Sequence, residues 1–182
     1  GRGVASASVT RKVSTIRSFY RYLRSEGRLS NDPFFGVRGP RAPRRLPGVL
    51  TEADVVGLIE SADGSEPADL RDRALLELLY AAGLRVSEAA GLDTSDVDLR
   101  DRVVRIRGKG SKERVGVFGE PAAAAIARYL RDGRSRLAAG KETALFLNRS
   151  GGRLSVRSVQ SIVRKYAAKA GLPTAVHPHL LR

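Results

Sequence analysis

The amino-acid sequence predicts a mainly α-helical protein with one small β-hairpin or sheet, an α+β domain preceded by a basic helical segment. Three observations lead there. Apolar residues recur at helical spacing in several separate segments. One stretch, DRVVRIRGKGSKERVGVFG, sets β-branched residues on both sides of a glycine-rich turn. RGPRAPRRLP has three prolines and four arginines in ten residues, so it can be neither helix nor central strand. It reads as an extended basic linker and places the boundary between residues 1–47 and 48–182.

The elements follow in order. In SVTRKVSTIRSFYRYLRSEG, Val9, Val13, Ile16, Tyr20 and Leu23 form one apolar stripe, and Gly27 suits a helix stop. Arg11, Lys12, Arg17, Arg21 and Arg24 occupy much of the remaining surface. SNDPFFGV is a turn and an apolar plug. After the linker, Thr51 stands three residues before Asp54, as a capping box requires. DLRDRALLELLYAAG is a strongly apolar helix closed by Gly83, and LRVSEAAGL a further helical turn. The hairpin comes next. EPAAAAIARYLRDGRSRLAAG is expected to be helical, with Pro121 at an early position. TALFLN is a short apolar run and RSGG a turn. The last full helix, LSVRSVQSIVRKYAAKAG, has Ser155 as its cap and Val156, Val159, Ile162, Val163 and Tyr166 as its apolar face. Pro178 could start one more.

Composition narrows the function. The net charge is +14, and 27 of the 33 basic residues are arginine. Residues 1–47 carry 11 basic and 2 acidic side chains, residues 48–100 carry 4 and 12, and residues 101–182 carry 18 and 5. Two basic regions flanking an acidic one suit a polyanion, most simply nucleic acid, and arginine grips phosphate with two donors at once. A solubilising surface is the plainer alternative. With no cysteine, disulfides, thiolate metal sites and cysteine nucleophiles are excluded. No apolar run approaches the roughly 20 residues of a membrane span, and the N-terminus lacks a signal-peptide core. A cytoplasmic protein with no membrane partner is expected.

Three short segments carry candidate chemistry. In AAGLRVSEAAGL, Arg85 sits on the turn between two helical segments, with Glu88 within reach of its side chain or backbone. Alone, this could be an arginine that merely ties two helices together. In RGKGSKERV, Lys109 lies between Gly108 and Gly110 at a hairpin tip that can approach another surface closely, or that is simply solvated. In the terminal HPHLLR, His179 and Arg182 share a helical face, or are a cap and a surface arginine. A metal site at His177 and His179 is disfavoured, because no cysteine or nearby acidic ligand completes it. Taken together, two arginines, a lysine and a histidine suit a phosphate-centred site without metal. Arginine forks stabilise non-bridging oxygens, a mobile lysine can act as general acid, and histidine can move a proton.

These residues, in this order, resemble the tyrosine recombinases, and in particular the Xer-type (XerC/XerD-like) site-specific recombinases of bacteria. The GLR-x-SE box is matched by Gly83, Leu84, Arg85, Ser87 and Glu88; the GKG-x-KER hairpin by Gly108, Lys109, Gly110, Lys112, Glu113 and Arg114; the H-x-x-R box by His179 and Arg182. LFLNRSGGRLSVRSVQ is also similar. The resemblance implies the tyrosine recombinase catalytic-domain fold over 48–182, preceded in 1–47 by the end of a helical core-binding domain. It implies site-specific DNA recombination through a 3′-phosphotyrosyl intermediate, as in chromosome dimer resolution, with no metal, no ATP and no small-molecule substrate. Arg85 and Arg182 would grip the phosphate, Lys109 would protonate the leaving 5′-oxygen, His179 would assist proton transfer, and Glu88 would support Arg85. The implied partners are a double-stranded recombination site and other protomers, a tetramer on two DNA sites that can include a paralogous Xer protein. DNA contacts are expected from Arg11, Lys12, Arg17, Arg21, Arg24, Arg41, Arg44, Arg45, Lys112 and Arg114, the linker lying along DNA as two domains close on it.

In that family the nucleophilic tyrosine lies downstream of H-x-x-R. Here Tyr20, Tyr22, Tyr80, Tyr129 and Tyr166 all precede His179, so no nucleophile is expected in this chain. The reading therefore expects a fragment cut at both ends, lacking its C-terminal helices and inactive alone. A mobile-element or phage integrase of the same family remains an alternative, as does a non-enzymatic nucleic-acid-binding protein.

Overall fold

The structure, a computed structural model, describes residues 6–37, 39–40, 50–107, 113–172 and 181. It separates into two compact units, Gly1–Pro47 and Gly48–Arg182.

The first unit holds α1 (Ser6–Ser25). Its stripe is only partly covered: Val9, Val13, Tyr20 and Leu23 are half-buried, and Ile16 is exposed. Tyr20 stacks on Phe34 with ring centroids 6.0 Å apart, and the Asp32 carboxylate accepts the Phe34 N–H at 2.8 Å to fix the following turn. Gly27, at φ +67°, ends α1. The Gly27 N–H donates to the Arg24 carbonyl and the Arg28 N–H to that of Leu23, a paired closure that needs a left-handed residue and so favours glycine.

The second unit is built around α3 (Pro67–Ala81), whose Leu75, Leu76, Leu78 and Leu79 are all buried. The helix is apolar on most sides because neighbours cover most sides. α2 (Glu52–Glu60) packs on it, entered through a reciprocal cap: the Asp54 N–H donates to Thr51 Oγ1 at 3.1 Å, and the Thr51 N–H to the Asp54 carboxylate at 2.9 Å. After α4 (Val86–Gly91) and a 3₁₀ turn at Thr94–Asp96 comes an antiparallel sheet in the order β1 (Val97–Asp98), β2 (Val103–Arg107), β3 (Glu113–Val117). β1 is a third strand added to the expected hairpin. In β2, Val104 and Ile106 face the core and Arg105 and Arg107 face out. β3 inverts the usual choice, since Val115 and Val117 are exposed while Gly116 is buried. A Cβ at Gly116 would stand 3.0–3.1 Å from Ile106, Ala82 and Val104, so the bare backbone lets β3 close on the end of α3.

The segment expected to be helical is one unbroken helical run over 120–137 with a π stretch inside it. α5 (Glu120–Arg128) runs into a π-helical stretch, Tyr129–Arg134, and then α6 (Ser135–Leu137). The π stretch lies against α3, where Gly133 is close-packed: a Cβ there would be 3.3 Å from the Pro67 carbonyl oxygen and 3.0 Å from Tyr129. α7 (Val156–Lys169) starts at Ser155, whose hydroxyl accepts the Ser158 N–H at 3.1 Å. Its buried face is Val159, Ile162, Val163, Tyr166 and Ala167; Val156, expected on that face, is exposed. Gly171, at φ +71°, repeats the closure seen at Gly27. A buried ion pair joins α3 to the 144–154 segment: Arg71 donates to Asp72 at 2.6 Å and 2.9 Å and to the Leu147 carbonyl at 2.8 Å. No helix among the described residues is long and apolar enough to cross a membrane.

Candidate active site

Three elements meet at the GLR-x-SE turn. α3 ends at Ala82, and Gly83 enters the left-handed region at φ +55°. The Gly83 N–H donates to the Tyr80 carbonyl and the Leu84 N–H to that of Leu79, so the orphaned carbonyls of α3 are satisfied. Leu84 is buried and anchors the turn. Arg85 then caps α4 with extended backbone, φ −73° and ψ 152°. Each residue of the triplet thus has a structural job: the glycine reverses the chain, the leucine fixes it, and the arginine is left at the rim.

Glu88, at the third position of α4, organises that arginine. Its Oε2 accepts the Arg85 backbone N–H at 2.8 Å, and its Oε1 accepts Nη1 of the Arg85 guanidinium at 2.8 Å. Arginine has no acceptor, so the usual reciprocal cap cannot form and the side-chain ion pair replaces it. The Glu88 side chain is only 4% exposed, whereas that of Arg85 is 51% exposed. The carboxylate is buried, and the fork it holds faces solvent. Burial pushes the Glu88 carboxyl up, but hydrogen bonds from the Arg85 backbone, the Arg85 guanidinium and Arg114 outweigh it and hold it below the usual carboxylate range. It is therefore ionised at neutral pH.

Arg114, expected on DNA, is found on the same carboxylate, donating through Nη2 to Oε2 at 2.9 Å. The base of the hairpin is tied on its other strand too, where Arg107 donates to the buried Asp96 at 3.1 Å. Neither tie was predicted from sequence. Their partners stand 26 and 11 residues away, and no local pattern signals them. Lys109, Lys112, His177, His179 and Arg182 lie outside the described residues, as do Arg41, Arg44 and Arg45.

Of the remaining basic residues expected on DNA, Arg11, Lys12, Arg17, Arg21 and Arg24 are all exposed on α1. Arg17, Arg21 and Arg24 line an open cleft of about 610 Å³ with Asp32, Phe34 and Phe35, and Arg17 also donates to the Val37 carbonyl. The tyrosines differ sharply. Tyr129 is fully buried, its hydroxyl accepting the Leu147 N–H at 3.2 Å. Tyr166 is buried beside Asp69 and Asp72, and burial and those two charges push its hydroxyl up. Tyr80 and Tyr22 are exposed, and Tyr20 is stacked on Phe34.

Comparison with known proteins fits this geometry. The tyrosine recombinase XerC of Actinobacillus pleuropneumoniae serotype 7 (strain AP76) is 40% identical over 181 residues, covering 100% of this chain and 58% of that protein. The tyrosine recombinase XerD of Mycobacterium tuberculosis (strain CDC 1551 / Oshkosh) is 43% identical over 185 residues, covering 98% of this chain and 60% of that one. The chain thus spans about three-fifths of the length of these relatives. In fold, it superposes on the Tn1549 transposon integrase in complex with transposon right end DNA with a TM-score of 0.75 and 18% identity, over 99% of this chain and 65% of that one. The helix-rich unit with its small antiparallel sheet therefore has the tyrosine recombinase catalytic-domain fold. Residues 48–182, the whole unit that carries Arg85, Glu88 and the hairpin, match the Phage integrase family, and to that family the chain belongs.

Proposed function

We propose that this chain belongs to a Xer-type site-specific recombinase that breaks and rejoins duplex DNA, acting in the cytoplasm in chromosome dimer resolution. The observation that carries the reading is the solvent-facing Arg85 fork held by a buried, ionised Glu88. A fixed guanidinium at a rim is what a phosphate in the act of exchange requires, since preorganised donors need not reorient as charge develops. The identity with proteins named XerC and XerD supports the Xer role over that of a mobile-element integrase.

In this reading Arg85 and Arg182 bind the scissile phosphate, Lys109 protonates the departing 5′-oxygen and His179 assists the proton's movement. Residues 1–47 supply the end of the core-binding domain and the basic linker, and residues 48–182 supply catalysis. Protomers assemble as a tetramer on two duplexes, with or without a paralogous Xer partner. The attacking tyrosine is assigned downstream of H-x-x-R, as the resemblance implies; Tyr20, Tyr22 and Tyr80 do not stand at that place, and Tyr129 and Tyr166 are in addition buried.

The test uses the protein expressed from its complete reading frame, in the absence of metal and nucleotide. A nicked suicide duplex is built on sequence recovered by binding selection. The expected result is a covalent protein–DNA band on a denaturing gel, with a free 5′-hydroxyl and the protein on the 3′ side. Tight binding without any covalent band would overturn the enzyme and favour a non-enzymatic DNA-binding protein.

A further inference from the structure

We infer that Arg114 is a positioning residue: by sharing the Glu88 carboxylate, it fixes the Arg85 fork and leaves that fork its charge for a phosphate. The inference rests on the reading of Arg85 as a phosphate ligand.

The argument begins with the strand. Alternation along β3 turns Glu113, Val115 and Val117 outward and Arg114 and Gly116 inward. Arg114 is the register partner of Ile106, which is fully buried. Its side chain therefore leaves on the inner face of the sheet, toward the α3–α4 turn. There Nη2 meets Glu88 Oε2 at 2.9 Å and lies 3.4 Å from the Gly83 carbonyl oxygen. A residue poised for DNA would aim its fork outward. This one aims inward, and its side chain is 39% exposed.

Charge explains why a second cation is needed. An isolated Arg85–Glu88 pair is neutral, and its guanidinium would be attracted as much to its own carboxylate as to an incoming phosphate. With Arg114 on the same carboxylate, the three groups carry a net single positive charge, and Arg85 is the more exposed of the two cations. Geometry adds to this. Oε2 holds both the Arg85 backbone N–H and Arg114, while Oε1 is left to the Arg85 guanidinium. Without Arg114, only the Arg85 backbone N–H opposes rotation of the carboxylate toward the Arg85 guanidinium. The same bond joins β3 to the turn that carries the phosphate fork.

The experiment uses the protein from its complete reading frame and the nicked duplex. Arg114→Gln, Arg114→Lys, Glu88→Gln and the double variant Glu88→Gln/Arg114→Gln are compared for duplex affinity, its salt dependence, and single-turnover cleavage at saturating protein. A misplaced fork costs rate, so Arg114→Gln should slow cleavage on the order of 10- to 100-fold while affinity changes less than about 2-fold. Arg114→Lys should recover part of the rate. In the Glu88→Gln background Arg114→Gln should add almost nothing, because Arg114 acts through Glu88. The double variant also leaves no unpaired buried charge, so it reports even where Arg114→Gln alone folds poorly. A fall in affinity and salt slope with saturating cleavage unchanged would overturn the inference and make Arg114 a DNA contact. So would a full additive loss in the double variant. Failure of the wild type to cleave, or indifference to Arg85→Ala, would overturn the underlying reading and this inference with it.

Discussion

Among the described residues of 8–40 no side chain is fully buried, whereas α3 alone buries ten of its fifteen residues. The first region has a helix with good periodicity, a glycine stop and an aromatic stack, yet its apolar stripe stays half-covered. The second surrounds its central helix with α2, α4, α5 and the π stretch. Periodicity tells which face of a helix wants cover; it does not tell whether cover is present. A helix of twenty residues holds together only marginally on propensity, so α1 depends on contacts much more than its sequence pattern suggests.

Substitutions should sharpen that contrast. The largest difference is expected from truncating apolar side chains in the two regions. Leu75→Ala should cost about 2–5 kcal/mol, as buried leucines do, while Leu23→Ala on half-buried α1 should cost well under that. Urea denaturation of each variant measures both, and equal losses would erase the distinction. Next comes Gly116→Ala. Its new methyl group meets Ile106, Ala82 and Val104 at about van der Waals limits or inside them, and overpacking of this kind costs about 1–3 kcal/mol. The same change at Gly57, where nothing lies within 4 Å, should be neutral or stabilising by propensity.

A smaller effect is tied to pH. The Glu88 carboxyl is held below its unfolded value, so the folded state binds fewer protons there than the unfolded state does. Its contribution is complete above the unfolded carboxylate range and is lost as pH falls through the depressed folded value. Glu88→Gln should therefore lower stability at neutral pH and flatten the acid limb of the stability curve. An unchanged acid limb would contradict the ion-pair geometry. The smallest stability effect is expected in α1. Replacing Arg11, Lys12, Arg21 and Arg24 by Ala should move stability within about 0.5 kcal/mol per site, as exposed changes do. Binding to duplex DNA should nevertheless weaken across all sequences, the salt slope falling by about 0.9 for each phosphate contact removed. A loss of stability without a change in slope would show that these side chains pack rather than bind.

What the sequence disclosed was local. Thr51 and Ser155 are caps, Pro121 stands at the start of α5, and Gly27 and Gly83 end helices in a left-handed turn. Each of these rests on two to six neighbouring residues. The pairing of β2 with β3 was legible for the same reason, since the two strands are near neighbours in sequence. The missing parts are those decided at a distance. β1 is two residues long and exists only because β2 lies beside it. Val156 has the right spacing to be buried and yet stays exposed, which its own stretch of sequence does not reveal. Arg71 and Asp72 resemble surface charges in sequence and are a buried pair in the structure. At the site, Arg85 and Glu88 could be paired from their spacing, but the third member, Arg114, could not, and it was read as facing DNA.

The π stretch at Tyr129–Arg134 has a consequence for editing the chain. A π turn closes its hydrogen bonds over five residues instead of four, and so holds one residue more than the α-helix around it. Removing one residue there would heal the helix rather than break it. Everything after the cut would keep its bearing, because the six residues of the π stretch turn through about the same angle as five α-helical ones. That bearing matters: Arg134 reaches the carbonyls of Glu142 and Ala144, at 2.5 Å and 2.7 Å, and so fastens the returning segment. In a regular α-helix the loss of one residue turns all that follows by about 100° and would carry such a latch away. The irregular turn thus absorbs a residue without passing a change of phase down the chain, and a one-residue deletion should be better tolerated here than in the regular turns of α3 or α7.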